Sequence, residues 1–191
     1  MRPLPLDWLV AMLKEEAKIL KNKETVIILA YAPAGLGHLR VTDALYHGLP
    51  KTANPLLLGS QDKSITRIHR ILSIHPIFRF FFELGQSGIP QYIVTYVYRN
   101  YLWLLTKLIY QQLTTILDQR IEETKTVLII ATHFGLAHQI AAIKDKLAKE
   151  RKVKIVLAVQ VTDDSPQYMW YIPGADLTFV PSEYTRRELA K

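Results

Sequence analysis

The chain has 191 residues, 49% of them apolar, which is enough for one domain with a full core. It has no cysteine, which excludes disulfides and thiolate metal sites and fits a reducing compartment. Its 24 Lys and Arg outnumber its 17 Asp and Glu, and the net charge of +7 favours anionic partners, either nucleic acid or an acidic membrane surface.

Lys14, Glu15, Glu16 and Lys18 interrupt the apolar residues near the N-terminus, so no signal-peptide pattern is present. No run of about 20 uncharged apolar residues occurs, so no simple transmembrane helix is expected. Asp7 to Lys21 reads as an amphipathic helix, with Leu9, Met12, Leu13, Ala17 and Leu20 on one face. Thr25 to Leu49 then reads as strand, glycine loop and helix. Val26 to Leu29 is a continuous apolar run, as in a strand covered on both faces. Pro33, Gly35 and Gly37 end it, and the glycines permit positive φ and close approach to a ligand. From Leu39 the spacing of Leu39, Val41, Leu45 and Leu49 is helical. The free N–H groups of that helix favour an anion or polar oxygen at the loop, where His38 stands. Arg40 occupies the place of a third fingerprint glycine, and no Lys-Ser or Lys-Thr pair follows, which excludes a Walker loop. Two readings fit these residues: a tight turn with a capping histidine, or a ligand loop with a reactive one.

Asn54 to Gly59 reads as a short second strand. Residues 64–117 carry almost no strand pattern; Pro76, Gly85, Gly88 and Pro90 divide them into helices. Their charge is sparse and cationic, with Arg67, Arg70, Arg79, Arg99 and Lys107, and Tyr92, Tyr96, Tyr98, Tyr101, Trp103 and Tyr110 add an aromatic belt. Core packing between helices explains most of these side chains. The functional reading is a membrane-facing lobe that presents Arg79, Arg99, Trp103 and Lys107 to lipid headgroups. Nucleic-acid stacking ranks below both, because the aromatics lie among Ile, Leu and Val, so no nucleic-acid partner is expected.

Thr126 to Ala131 is another strand, ending in Thr132-His133, and Ala137 to Lys149 is helical. Val153 to Val161 is a strand ending in Thr162-Asp163-Asp164. Ala175 to Val180 is a short last strand, and Ser182 is placed to cap the helix that follows. This alternation implies an α/β fold: a Rossmann-like parallel sheet with helices on both faces and right-handed crossovers. Ligands of such sheets sit beyond the carboxyl ends of the strands. His38, Thr132, His133, Thr162, Asp163 and Ser182 all follow strand ends and should gather on one rim. Each also has a structural reading: Ser182 as a cap, Thr162 and Asp163 as loop caps, His133 as a satisfied buried histidine. His47, His69, His75 and His138 form no constellation, and no metal site is expected.

AGLGHLRVTDALYHGL resembles the first loop and helix of GT-B glycosyltransferases of the monogalactosyldiacylglycerol synthase and diacylglycerol glucosyltransferase type. VQVTDDSPQYMWYIPGADLTFVPSEYTRRELAK is similar to a later segment of the same family through Thr162, Asp163, Trp170, Asp176 and Ser182, with Thr132-His133 at the strand end between. The sequence departs from the family at Ala34, at Gln167, where a histidine is frequent, and at Phe134, where a proline is.

The resemblance implies that residues 1–191 form a single N-terminal, acceptor-binding domain, the first half of a GT-B fold, with a helical insertion at about 64–117. A C-terminal donor-binding domain would follow, so the chain alone is expected to be inactive. The implied reaction moves a hexose from a UDP-sugar to diacylglycerol at an anionic membrane surface, with no resident cofactor. His38 is the implied base; Gly35, Gly37, Thr132, His133, Thr162, Asp163 and Trp170 would bind acceptor or substrate. The protein would be cytoplasmic and peripheral on the inner face of the membrane. Two alternatives stand beside this. One is a membrane-docking half that partners a separate donor-binding subunit, as in split polyprenol-linked glycosyltransferases. The other is a nucleotide-binding Rossmann enzyme, disfavoured by Arg40 and by the absence of an acidic residue at Leu58-Gly59.

Overall fold

The computed structural model describes residues 24–33, 36–60, 88, 90–119, 124–164 and 167–190. The expected N-terminal helix, Gly35, Arg67, Arg70, Arg79 and the first part of the 64–117 region lie outside the described residues.

The elements follow in order: β1 (Thr25–Tyr31), α1 (Leu36–Gly48), β2 (Leu56–Gly59), α2 (Pro90–Leu104) and α3 (Thr106–Asp118). After these come β3 (Thr126–Ala131), α4 (Phe134–Arg151), β4 (Lys154–Gln160), β5 (Leu177–Phe179) and α5 (Glu183–Leu189). Short 3₁₀ turns lie at Lys51–Ala53 and Tyr168–Trp170. The strands form a five-stranded sheet in the order β2-β1-β3-β4-β5, and every neighbouring pair is parallel. The fold is therefore the expected Rossmann-like α/β class. The chain runs from β1 outward to β2, then returns to the other side of β1 to form β3. This reversal opens a crevice beyond the ends of β1 and β3, where ligands of such sheets bind.

The apolar run of β1 is buried along its length except at its ends, as its lack of alternation predicts. One face of the sheet packs Ile28, Ala30, Ile129, Ala131, Leu157 and Val159 against Leu113 and Leu117 of α3 and Ile140 and Leu147 of α4. Each fully buried Leu or Ile contributes about 1.5–3 kcal/mol by leaving water, so these helices are fixed by packing rather than by intrinsic propensity. On α3, Ile109, Leu113 and Leu117 recur at helical spacing and form its buried stripe. The break between α2 and α3 falls at Leu105, whose carbonyl accepts from Gln139 Nε2 of α4 at 3.1 Å.

Two expectations about the first helix need correction. Gly37 is not a positive-φ loop residue but part of the first turn of α1, and a side chain there would meet open space. The residues of α1 buried most deeply are His38 and Thr42, whereas Leu39, Val41, Leu45 and Leu49 are only partly covered. The helix therefore presses polar groups against the strand ends. α4 also begins earlier than its apolar spacing indicates, because the His133 side chain caps it.

Asp176 closes the far side of the sheet. Its Oδ2 accepts from Lys144 Nζ at 2.7 Å and from the Leu157 N–H at 2.7 Å. Burial pushes the Asp176 carboxyl up, but the bonds from Lys144 and Leu157 outweigh that and hold it below the usual carboxylate range. The Lys144 side chain is only 9% exposed, so loss of its partner strands a cation away from water. Asp176→Ala should lower stability by about 1–3 kcal/mol in urea unfolding, with α4 and β4 loosened in hydrogen exchange. An unchanged unfolding midpoint would show that the pair contributes nothing net.

Candidate active site

The carboxyl ends of β1 and β3 meet at a network of buried polar groups. Thr132, the residue after β3, is fully buried, and its N–H donates to Ala30 O at 3.0 Å. That continues the β1–β3 ladder one step and fixes the direction of the Thr132 carbonyl. His38, 7% exposed, reaches across from the first turn of α1 and places Nδ1 2.7 Å from that carbonyl oxygen. A carbonyl only accepts, so the His38 proton resides on Nδ1 and Nε2 keeps the lone pair.

Thr42, one turn later on α1, locks the arrangement from the other side. Its hydroxyl donates to His38 O at 2.7 Å and accepts from Thr132 Oγ1 at 2.8 Å. Helix and strand end thus close a ring of hydrogen bonds: Thr132 to Thr42, Thr42 to the His38 carbonyl, and the His38 imidazole back to Thr132. Sequence reasoning missed Thr42. The available signal was the pairing of His38 with a hydroxyl residue at i+4, on the side that turned out to face the sheet.

His133 is fully buried and has a different task. Its Nδ1 accepts from the Gly135 N–H at 3.1 Å and caps α4, so this nitrogen holds the lone pair and Nε2 the proton. The two histidines therefore carry opposite tautomers, with ring centroids 4.8 Å apart, edge to face. Phe134 stacks on His133 at 4.7 Å and meets the edge of Trp170 at 5.5 Å. Gly135 is required here: a Cβ would come within 2.9 Å of the His133 ring and 3.2 Å of the Tyr98 hydroxyl.

Thr162, just past β4, brings Oγ1 to 3.0 Å from His38 Nδ1, and its hydroxyl lies 3.4 Å from Asp163 Oδ1. Asp163 is exposed at the rim. Asp164 accepts from the hydroxyls of Ser182 at 2.5 Å and Thr185 at 2.7 Å, and these bonds hold its carboxyl below the usual range. Ser182 also caps α5. Trp170 is buried in the 3₁₀ turn with its ring 6.2 Å from that of His38.

Of the residues singled out from the sequence, His38, Thr132, His133, Thr162 and Trp170 thus form one cluster, with Asp163 on its rim. Gly37 presents bare backbone beside it. Ser182 joins the rim through Asp164. Arg99, Trp103 and Lys107 lie apart, on α2 and the start of α3. Arg99 stands over the rings of Tyr96 and Trp103, at 5.7 and 5.6 Å from their centroids. Along α2, Tyr92, Ile93, Tyr96, Val97 and Leu104 are exposed, an apolar stripe at helical spacing. Among the described residues no helix is long and apolar enough to cross a membrane.

A five-stranded parallel sheet with helices around it and a polar cluster at its reversal point defines a Rossmann-like α/β fold. The profile of the monogalactosyldiacylglycerol (MGDG) synthase family matches residues 61–191, and the chain belongs to this family of glycolipid glycosyltransferases. The matched stretch carries Thr132, His133, Thr162, Asp163 and Trp170, whereas the His38 loop precedes it. No curated protein and no solved structure matches the chain.

His138, for which the sequence shows no partner, holds the tryptophan turn. Its Nε2 donates to Met169 O at 3.1 Å from a site on α4 that is 1% exposed. Burial pushes the imidazole down to about 4, against an ordinary 6.5, and the nearby Arg99 charge adds to this. The unfolded chain takes up this proton near pH 6.5 and the folded chain only near pH 4, so acid favours unfolding between them. The protein should lose up to about 3 kcal/mol of stability on acidification through that window. Thermal unfolding followed against pH should show a shallower fall for His138→Gln than for the wild type; parallel curves would remove His138 as the cause.

Proposed function

We propose that this domain binds the lipid acceptor of a glycolipid glycosyltransferase and supplies its general base, transferring a hexose from a UDP-sugar to diacylglycerol. The observation that carries this reading is the state of His38. Its Nδ1–H is tied to the Thr132 carbonyl, so the ring is oriented, and the tautomer that makes this bond has Nε2 as its proton acceptor. Among the described residues no hydrogen bond engages Nε2. The acceptor hydroxyl has a high pKa and is a poor nucleophile until its proton has somewhere to go. Its oxygen attacks C1 of the hexose as the bond from C1 to the phosphate oxygen breaks. The bonding electrons leave with UDP, and the hydroxyl proton passes to His38 Nε2.

Gly37 supports the same reading. Glycine within a helix is disfavoured by about 1 kcal/mol relative to alanine, and nothing among the described residues requires it here. Bare backbone at a positive helix end instead suits close approach of a sugar or phosphate oxygen. The donor would be held mainly by a second domain. The exposed apolar stripe of α2, with Arg99, Trp103 and Lys107 beside it, would rest on anionic lipid at the inner face of the membrane, bringing the acceptor to the crevice.

His38→Ala in the complete enzyme should reduce kcat about 10²–10⁴-fold while thermal unfolding shows a folded domain. A folded variant with near-normal kcat would remove the base. For membrane docking, the purified chain should bind vesicles containing phosphatidylglycerol better than neutral ones. Binding should weaken as salt rises, since charges are screened over about 8 Å at physiological ionic strength. Tyr96→Glu combined with Leu104→Glu should lower retention at every salt concentration; wild-type retention by this double variant would place the contact elsewhere.

A further inference from the structure

We infer, on the reading above, that Thr162 is the positioning residue for His38: its hydroxyl is the second acceptor that holds the imidazole in its base-competent tautomer. One hydrogen bond fixes the direction of an N–H but leaves the ring free to pivot about it. Thr132 O, at 2.7 Å, supplies that first bond from the end of β3. Thr162 Oγ1, at 3.0 Å from the same nitrogen, approaches from the end of β4. Because Nδ1 carries the proton, the Thr162 hydroxyl accepts from it and turns its own hydrogen elsewhere. Asp163 Oδ1, at 3.4 Å, is the acceptor on that side. The opposite tautomer would aim a lone pair at the Thr132 carbonyl, so two oxygens converging on Nδ1 select the form with Nε2 free.

The loop that carries Thr162 is itself restrained. Two residues on, Asp164 is bonded to Ser182 and Thr185 at 2.5 and 2.7 Å, which pins the far end of the loop to α5. Thr162 is therefore held against His38 from both sides. Its hydroxyl donates and accepts within the protein, which distinguishes it from a group kept for substrate. When the acceptor proton reaches Nε2, the positive charge spreads onto Nδ1–H. Hydrogen bonds from a charged donor are roughly twice as strong as neutral ones, so Thr162 strengthens its hold as the charge develops. A contact that is stronger in the transition state than before it raises kcat rather than lowering KM.

The test compares Thr162→Val, which keeps shape and loses the hydroxyl, with Thr162→Ser, which restores it. In the complete enzyme Thr162→Val should lower kcat about tenfold to a hundredfold with little change in the KM for diacylglycerol, and Thr162→Ser should recover most of it. In the 191-residue chain labelled with ¹⁵N-histidine, the wild-type and Ser proteins should show His38 as a single Nδ1-protonated tautomer, and the Val protein a mixture. A raised KM with unchanged kcat and an unchanged imidazole spectrum would make Thr162 an acceptor contact and overturn the assignment. So would a wild-type spectrum with Nδ1 unprotonated. If the wild-type enzyme transfers no hexose to diacylglycerol, the proposed reaction fails, and the imidazole spectra alone still decide the role of Thr162.

Discussion

The hydrogen bond from His38 Nδ1 to the Thr132 carbonyl joins the two parts of the chain that part company at the sheet reversal. β1 leads through α1 to one edge of the sheet, while β3 begins the march to the other. Without a link beyond their ends, the crevice between them would be a gap lined by loose termini. The link is short and buried, and the Thr42–Thr132 hydroxyl pair closes it into a ring. Each neutral bond of this kind contributes only about 0.5–1.5 kcal/mol net. Leaving any one group of the ring unmet would cost about 1–3 kcal/mol, because water does not reach it. The ring is therefore stable as a set and unfavourable in part. That property makes it suitable for holding an imidazole in one orientation.

The neighbouring groups extend this logic outward. His133 sits beside His38 but turns its acceptor nitrogen to the start of α4. His138 holds the turn that presents Trp170, and Trp170 and Phe134 wall the cluster with aromatic surface. Three histidines of one domain thus have three tasks, and the hydrogen bond made by each ring decides which. The aromatic wall lowers the local dielectric, which strengthens the polar contacts enclosed behind it.

The surface of α2 follows a different rule. Its inner side, with Thr95 and Leu102, is buried, whereas Tyr92, Ile93, Tyr96, Val97 and Leu104 face outward. Exposed apolar side chains at helical spacing beside cationic ones, on a helix too short and polar to span a bilayer, are the feature on which the proposed membrane contact rests. This links the composition of the chain, basic and aromatic in its middle, to the work of a family that makes glycolipids.

The sequence by itself determined the strands, their parallel arrangement and the gathering of strand-end residues on one rim. Continuous apolar runs broken by Gly, Pro and Thr report burial on both faces and the ends of strands directly, because both are local properties. It also pointed to the family, through the order of the loop and helix around His38 and the later segment of Thr162, Asp163, Trp170, Asp176 and Ser182, with Thr132-His133 between. Only the tertiary structure decided what each of those residues does. His38 and His133 read alike as histidines after strands, but their tautomers depend on a carbonyl 94 residues away in one case and an N–H two residues away in the other. Thr42 was illegible because its partner is brought near by the pairing of β1 with β3, and helical spacing alone gave Leu39 and Leu45 as the buried face. Thr162 read as a rim residue, either a loop cap or an acceptor contact, because the order of residues places it near His38 without showing that its hydroxyl meets the imidazole. Register and crossover place these groups, and both are properties of the whole sheet rather than of any stretch within it.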